Sequence, residues 1–173
     1  MQSKSKQAAT SVTTTIQNAL KSGQTTITDV QSMALLNDIQ SGDSARQVEG
    51  LTGALALLAA GRDVGLHVSA TCQHILVSPN TTPTVKRLAY DLARSASLTD
   101  ADWARIVGGV RGDLAKGTHV DVRTRAMKML PLFPPHHLAD LLLRNDDGAL
   151  FQRVVLAIRS VSDAVRVAAI ECL

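Results

Sequence analysis

A short pattern returns along this chain at an interval that few architectures use. Residues 84–95 read Thr-Val-Lys-Arg-Leu-Ala-Tyr-Asp-Leu-Ala-Arg-Ser and open on an aliphatic residue, a basic residue, two others and alanine, Val85-Lys86-x-x-Ala89. The same head recurs as Val122-Arg123-x-x-Ala126 and Val165-Arg166-x-x-Ala169, with a weaker copy at Ala45-Arg46, where Glu49 holds the fifth place. The heads begin at 45, 85, 122 and 165, so they are spaced by 40, 37 and 43 residues. Within the stretch 84–95, Val85, Leu88, Ala89 and Leu92 fall at helical spacing and predict one buried stripe. A period near 40 with helices inside it is the sequence mark of HEAT or armadillo repeats. The expected fold is therefore all-α, an α-solenoid of HEAT/armadillo-like helical hairpins.

Composition fits that reading. With 45% hydrophobic residues, a chain of 173 residues can bury a core. Only 2% is aromatic, so that core must be built from Leu, Val, Ala and Ile, which suits closely stacked helices. No apolar run reaches the roughly eighteen residues of a membrane span, and the polar, Thr-rich start has no apolar segment of the signal-peptide type. Cys72 and Cys172, a hundred residues apart, read as reduced thiols of a cytosolic chain. A net charge of +3 and four aromatic residues are too few of either for nucleic-acid binding, which needs a larger basic excess and stacking rings.

Taken in order, residues 1–28 predict a disordered extension and residues 29–173 an incomplete solenoid. Asp29 is expected to cap a helix with Val30, Met33, Leu36 and Ile39 inward. Asp43 should cap the next, which Gly61 ends. Asp63 should start a third, carrying Leu66, Ala70, Ile75 and Leu76. Thr99-x-x-Asp102 resembles a capping box and opens a helix with Trp103, Ile106, Val107, Val110 and Leu114. Gly108 and Gly109 inside it point to a close helix approach or a bend. Pro131, Pro134 and Pro135 should end a helix over 120–130 and begin the next. Residues 145–148 form a turn, 150–158 a helix, and Ser162 or Asp163 caps the last one. The apolar run to Leu173 reads as a solenoid cut inside a repeat, because terminal repeats carry a polar cap.

Chemistry is hard to place on this chain. Neighbouring residues on a helix point about 100° apart, so His136 and His137 read as solvent-exposed positions and not as shared ligands. His67, Cys72 and His74 fit no helical ligand spacing. Arg111-Gly112-Asp113 falls inside a helix and reads as chance. Gly108-Gly109-x-x-Gly112 follows no strand, which removes a dinucleotide fingerprint. No nucleophile elbow, phosphate loop or zinc-protease motif is present. The expectation is no catalytic residue, no cofactor and no metal. Lys86, Arg87 and Arg94 form a candidate basic face for acidic lipids or a partner, each such charge adding about 1 kcal/mol near a membrane. The competing expectation is that Lys86, Arg123 and Arg166 pair with acids of the adjacent repeat.

Two stretches carry a family resemblance. Gly61-Arg62-Asp63-Val64 and Lys86-Arg87-Leu88-Ala89-Tyr90 resemble the coat adaptor large subunits, the adaptins and coatomer β/γ. Ala59-Ala60-Gly61-Arg62-Asp63, Ser78-Pro79, Asp91-Leu92, Arg94-Ser95, Leu98-Thr99 with Trp103, and Ser162-Asp163-Ala164-Val165 resemble more closely the adaptin-like large subunits of the TSET class of coat complexes. The resemblance covers 29–130 well, weakens over 138–160, where the family has a longer segment, and leaves 1–28 unmatched. It implies a non-catalytic trunk fragment of a cytosolic coat assembly, peripheral at the plasma membrane or on coated vesicles and acting in clathrin-mediated endocytosis, membrane trafficking and cytokinesis. The implied partners are medium and small chains, a second large chain and clathrin-linked factors, with peripheral contact to acidic lipids and no nucleic acid. The alternative is a generic HEAT-repeat cargo-binding or regulatory scaffold.

Overall fold

The computed structural model describes residues 29–61, 67–115, 118–143, 149–157, 159–160 and 162–171. Among these there are helices and no strands. In chain order they are α1 (Asp29–Ile39), α2 (Ser44–Ala59), α3 (His67–Val77), α4 (Pro83–Ser95), α5 (Asp100–Asp113), α6 (Val120–Met129) with a 3-10 turn at Leu130–Leu132, α7 (Pro135–Leu143), α8 (Ala149–Ala157) and α9 (Asp163–Ile170). The expected extension over 1–28, the Asp63 cap with Leu66, the turn over 145–148 and the end at Leu173 lie outside the described residues.

Local chemistry sets most boundaries. Asp43 caps α2, its carboxylate accepting from the Ala45 N–H at 2.9 Å, and Gly61 takes φ +71° just beyond its end, a conformation cheap only for glycine. Pro83 occupies the first position of α4, where its missing N–H costs nothing. At α5 both halves of the capping box form. Thr99 accepts from the Asp102 N–H, and Asp102 accepts from the Thr99 N–H. The shorter Asp reaches because the Thr99 hydroxyl also donates to it, at 2.6 Å.

The helices lie in two rows. In one, α2 packs on α4, α4 on α6 and α6 on α9; in the other, α1 packs on α3, α3 on α5 and α5 on α7. The rows join through α1 with α2, α3 with α4, α5 with α6, and α8 with both α7 and α9. The recurring heads thus open every helix of the first row. In the three full copies the apolar members are core residues: Val85, Val122 and Val165, with Ala89, Ala126 and Ala169, are all buried, while Ala45 of the weaker copy is exposed. Alanine at the second place keeps successive row helices close.

Two expectations about faces need correction. In α1 the inward pair is Leu35 and Ile39, while Met33 is 56% exposed. The helix is rotated so that Asp38, itself buried, can receive Arg46 from α2 at 2.5 Å. In α4, Val85, Ala89 and Leu92 are buried as expected, but Leu88 is only half-buried and Tyr90 is fully enclosed. Of the paired glycines, Gly109 marks a close approach. A Cβ there would lie 2.6 Å from the Leu76 carbonyl oxygen of α3, while one at Gly108 would meet nothing within 4 Å.

Candidate interaction surface

The basic residues of the repeated heads do different work. Lys86 leaves α4 towards the end of α5, where its Nζ lies 2.5 Å from Asp113 Oδ1. Both side chains are largely buried. The other carboxylate oxygen of Asp113 accepts from the Tyr90 hydroxyl at 2.9 Å. Burial first, and then the charge and hydrogen bond of Asp113, push the Tyr90 phenol well above its usual range. This trio is an interior clasp between α4 and α5. The Asp113 of the Arg-Gly-Asp tripeptide is consumed by it.

Arg166 in α9 pairs locally, with Asp163 of its own first turn and with the Ser160 carbonyl at 2.7 Å. Arg123 in α6 differs again. Its Nε is enclosed, and no described group accepts a hydrogen bond from it. The expected pairing with an acid of the adjacent repeat occurs at Lys86.

Along the first row, charges bridge successive helices. Arg125 of α6 reaches Asp91 of α4 at 2.9 Å, and Lys128 of α6 faces Glu171 beyond α9 at 3.8 Å. In the second row, Gln73 of α3 donates to Asp102 of α5 at 2.8 Å, and Arg105 lies at the edge of hydrogen-bond range from Gln73. Of the candidate basic face, Lys86 is committed to Asp113, Arg87 is half-buried and Arg94 is exposed. Arg87 and Arg94 stand seven residues apart and share one side of α4, with Lys86 turned about 100° from that line.

A cleft of about 390 Å³ opens between the end of α3, the start of α4, the second half of α5 and the start of α6. Leu76, Pro79, Lys86, Gly109, Asp113 and His119 are among its walls. Its ion pair, Lys86 with Asp113, is already satisfied internally. Cys72 is no candidate nucleophile, because burial pushes its thiol up to about 12.

The histidine pair departs from expectation. His136 and His137 sit in the first turn of α7, yet both Nε2 atoms converge on Asp100 Oδ1, at 2.8 and 3.1 Å. The rings tilt across each other with centroids 4.2 Å apart. Neighbouring Cβ vectors do diverge, but two χ angles let each ring swing towards the same acceptor. Asp100 stands at the start of α5, and no local spacing links it to a pair 36 residues later. Position in sequence gave no signal for this cluster, nor for Tyr90 and Asp113.

Fold and surface together describe an all-helical, two-row protein whose repeated positions face inward and whose charges join helix to helix. No helix among the described residues is long and apolar enough to cross a membrane. Over 114 residues, 66% of its length, the chain is 33% identical to Protein TPLATE of Arabidopsis thaliana. The match spans 10% of that relative. No family model matches the chain, and no solved structure matches it significantly.

Proposed function

We propose that this chain is a piece of the trunk of a coat-adaptor large subunit, a HEAT/armadillo-like α-solenoid that works by binding and performs no chemistry. The observation that supports this most is the coincidence of two independent patterns. The repeated heads open the helices of one row, and the chain shares 33% identity over 114 residues with TPLATE. Stacked helical repeats expose long surfaces suited to embracing a smaller folded subunit.

In this reading the protein acts at a membrane from its cytosolic face, within a multi-subunit assembly serving clathrin-mediated endocytosis. Medium and small chains, a second large chain and clathrin-linked factors are the partners. Of the basic face of Lys86, Arg87 and Arg94, Arg87 and Arg94 serve acidic headgroups or a partner, while Lys86 is held inside by Asp113. The test is affinity capture from plant cytosol with the parent chain as bait. Recovery of a medium chain, a small chain and clathrin-linked factors supports the reading. Recovery of nuclear transport factors or a phosphatase catalytic subunit, without coat components, overturns it in favour of a generic repeat scaffold.

A further inference from the structure

We propose that Asp100, His136 and His137 form a binding site for a divalent transition-metal ion of the zinc type, clipping the first turn of α5 to the first turn of α7. Among the described residues these three offer ligand atoms that all lie within 4.8 Å of one another. Two imidazole nitrogens and one carboxylate oxygen are a donor set that suits zinc, cobalt or nickel and is poor for magnesium or calcium.

The spacing fits the chemistry. Bonds of about 2.0–2.1 Å at tetrahedral angles hold neighbouring donor atoms about 3.3 Å apart. The Nε2 atoms of His136 and His137 stand 2.8 and 3.1 Å from Asp100 Oδ1. An ion therefore needs each nitrogen to move a few tenths of an ångström away from Asp100 Oδ1, and the two nitrogens, which lie within 4.8 Å of each other, to settle near that same spacing, adjustments within the reach of side-chain torsions. Coordination uses the Nε2 lone pair of each imidazole, with the ring proton on Nδ1. Asp100 and His136 are well exposed, leaving water to complete the shell.

One force opposes the site. The ion lies at the N-terminal ends of α5 and α7, where both helix dipoles are positive. The Asp100 charge offsets this, and with three protein ligands at an exposed site the ion is a clip between two helices and not a folding centre. Because the ion holds helices from consecutive positions of the second row, it stabilises that junction and leaves the first row untouched.

The single tryptophan provides the test. Trp103 lies one turn beyond Asp100 and packs on Phe133, three residues before His136, with ring centroids 4.6 Å apart. Nickel or cobalt titrated into the 173-residue chain should quench its fluorescence saturably, with one ion bound, and zinc should displace the quencher. Loss of even an outer partner of a metal costs ten- to hundredfold in affinity, so His136→Ala, His137→Ala and Asp100→Asn should each weaken binding at least about tenfold. His74→Ala and His119→Ala should change nothing. His136 is exposed, so its variant keeps the fold even if the less exposed His137 does not, and circular dichroism checks both. The proposal is overturned by absence of saturable quenching at large metal excess. It is equally overturned by quenching that survives His136→Ala in a folded chain, or that disappears with His119→Ala.

Discussion

The heads of α4 and α6 share a pattern and differ in what they achieve. Both place valine and alanine in the core at the same two positions. In α4 the basic residue finds Asp113, and the ring of Tyr90 brings a hydroxyl to the same carboxylate. In α6 the equivalent of Tyr90 is Met127, which carries no hydroxyl, and Arg123 Nε is buried without a described acceptor. The repeat therefore specifies apolar packing, while the polar interior is decided hairpin by hairpin. A basic residue at a repeated position is held where a carboxylate meets it, as at Lys86, and contributes no such bond where its buried donor meets none among the described residues, as at Arg123 Nε.

The largest expected effect breaks the α4 clasp. Asp113→Ala leaves a buried ammonium and a buried hydroxyl without their acceptor, and should destabilise the chain by about 3–5 kcal/mol. Arg123→Met should change stability by less than about 1 kcal/mol, since Nε surrenders no hydrogen bond and methionine fills the space. Urea unfolding of both variants checks this. Equal losses at the two positions would remove the distinction between the heads.

Alkaline stability sharpens the same contrast. Cys72 sits at about 12 in the folded chain against 9.0 unfolded, and Tyr90 is held well above 10.0. Both groups bind their protons more tightly when folded. Their contribution is complete below the unfolded values and is lost as pH rises above them. Stability should fall by roughly 1.4 kcal/mol per pH unit from pH 9 to 12 through Cys72, with a further decline above pH 10 through Tyr90. Cys72→Ala should abolish the first decline and Tyr90→Phe the second, measured as denaturant midpoints against pH. A wild-type midpoint flat to pH 11 would contradict the burial of these two groups around α3 and α4.

A smaller effect separates two adjacent glycines on the same side of the molecule. Gly109→Ala drives a methyl into the Leu76 backbone carbonyl, an obstacle that cannot rotate away, and should cost about 1–3 kcal/mol. Gly108→Ala enters open space in a helix interior and should stabilise by up to about 1 kcal/mol. Thermal midpoints moving in opposite directions are the expected result. Two shifts of the same sign would mean that α3 and α5 do not approach as closely as described.

How much of this was readable beforehand follows from the range of each signal. Caps depend on three or four consecutive residues, so Asp43, Thr99 with Asp102 and Gly61 were legible. So were the buried valine and alanine of each head, because periodicity within one helix fixes them. The inward face of α1 was not. Met33 and Leu35 are both apolar, and the choice between them depends on Asp38 meeting Arg46 across a turn. Tyr90 lies outside the stripe that the helical spacing of α4 picks out, and its partner Asp113 stands 23 residues later. The Asp100 cluster is more remote still. Its geometry depends on how α7 docks on α5, which no local pattern encodes.

The smallest effect tests the link between the two heads. Arg125 of α6 pairs with Asp91 of α4, with side chains about one third and one quarter exposed. Such a pair gains little because solvent screens it and two side chains must be ordered, so Asp91→Asn should cost less than about 1 kcal/mol. That loss should shrink further in high salt, while the Asp113→Ala loss should persist, because a buried pair is screened far less. A double-mutant cycle of Asp91→Asn with Arg125→Gln, repeated at low and high ionic strength, isolates the pairing from other consequences of each change. A coupling as large as that of Lys86 with Asp113, and insensitive to salt, would mean that the row is held by buried charge along its whole length. A small, salt-sensitive coupling would leave apolar stacking of Val85, Val122 and their alanines as what joins one hairpin to the next, with the α4 clasp a local device added to it.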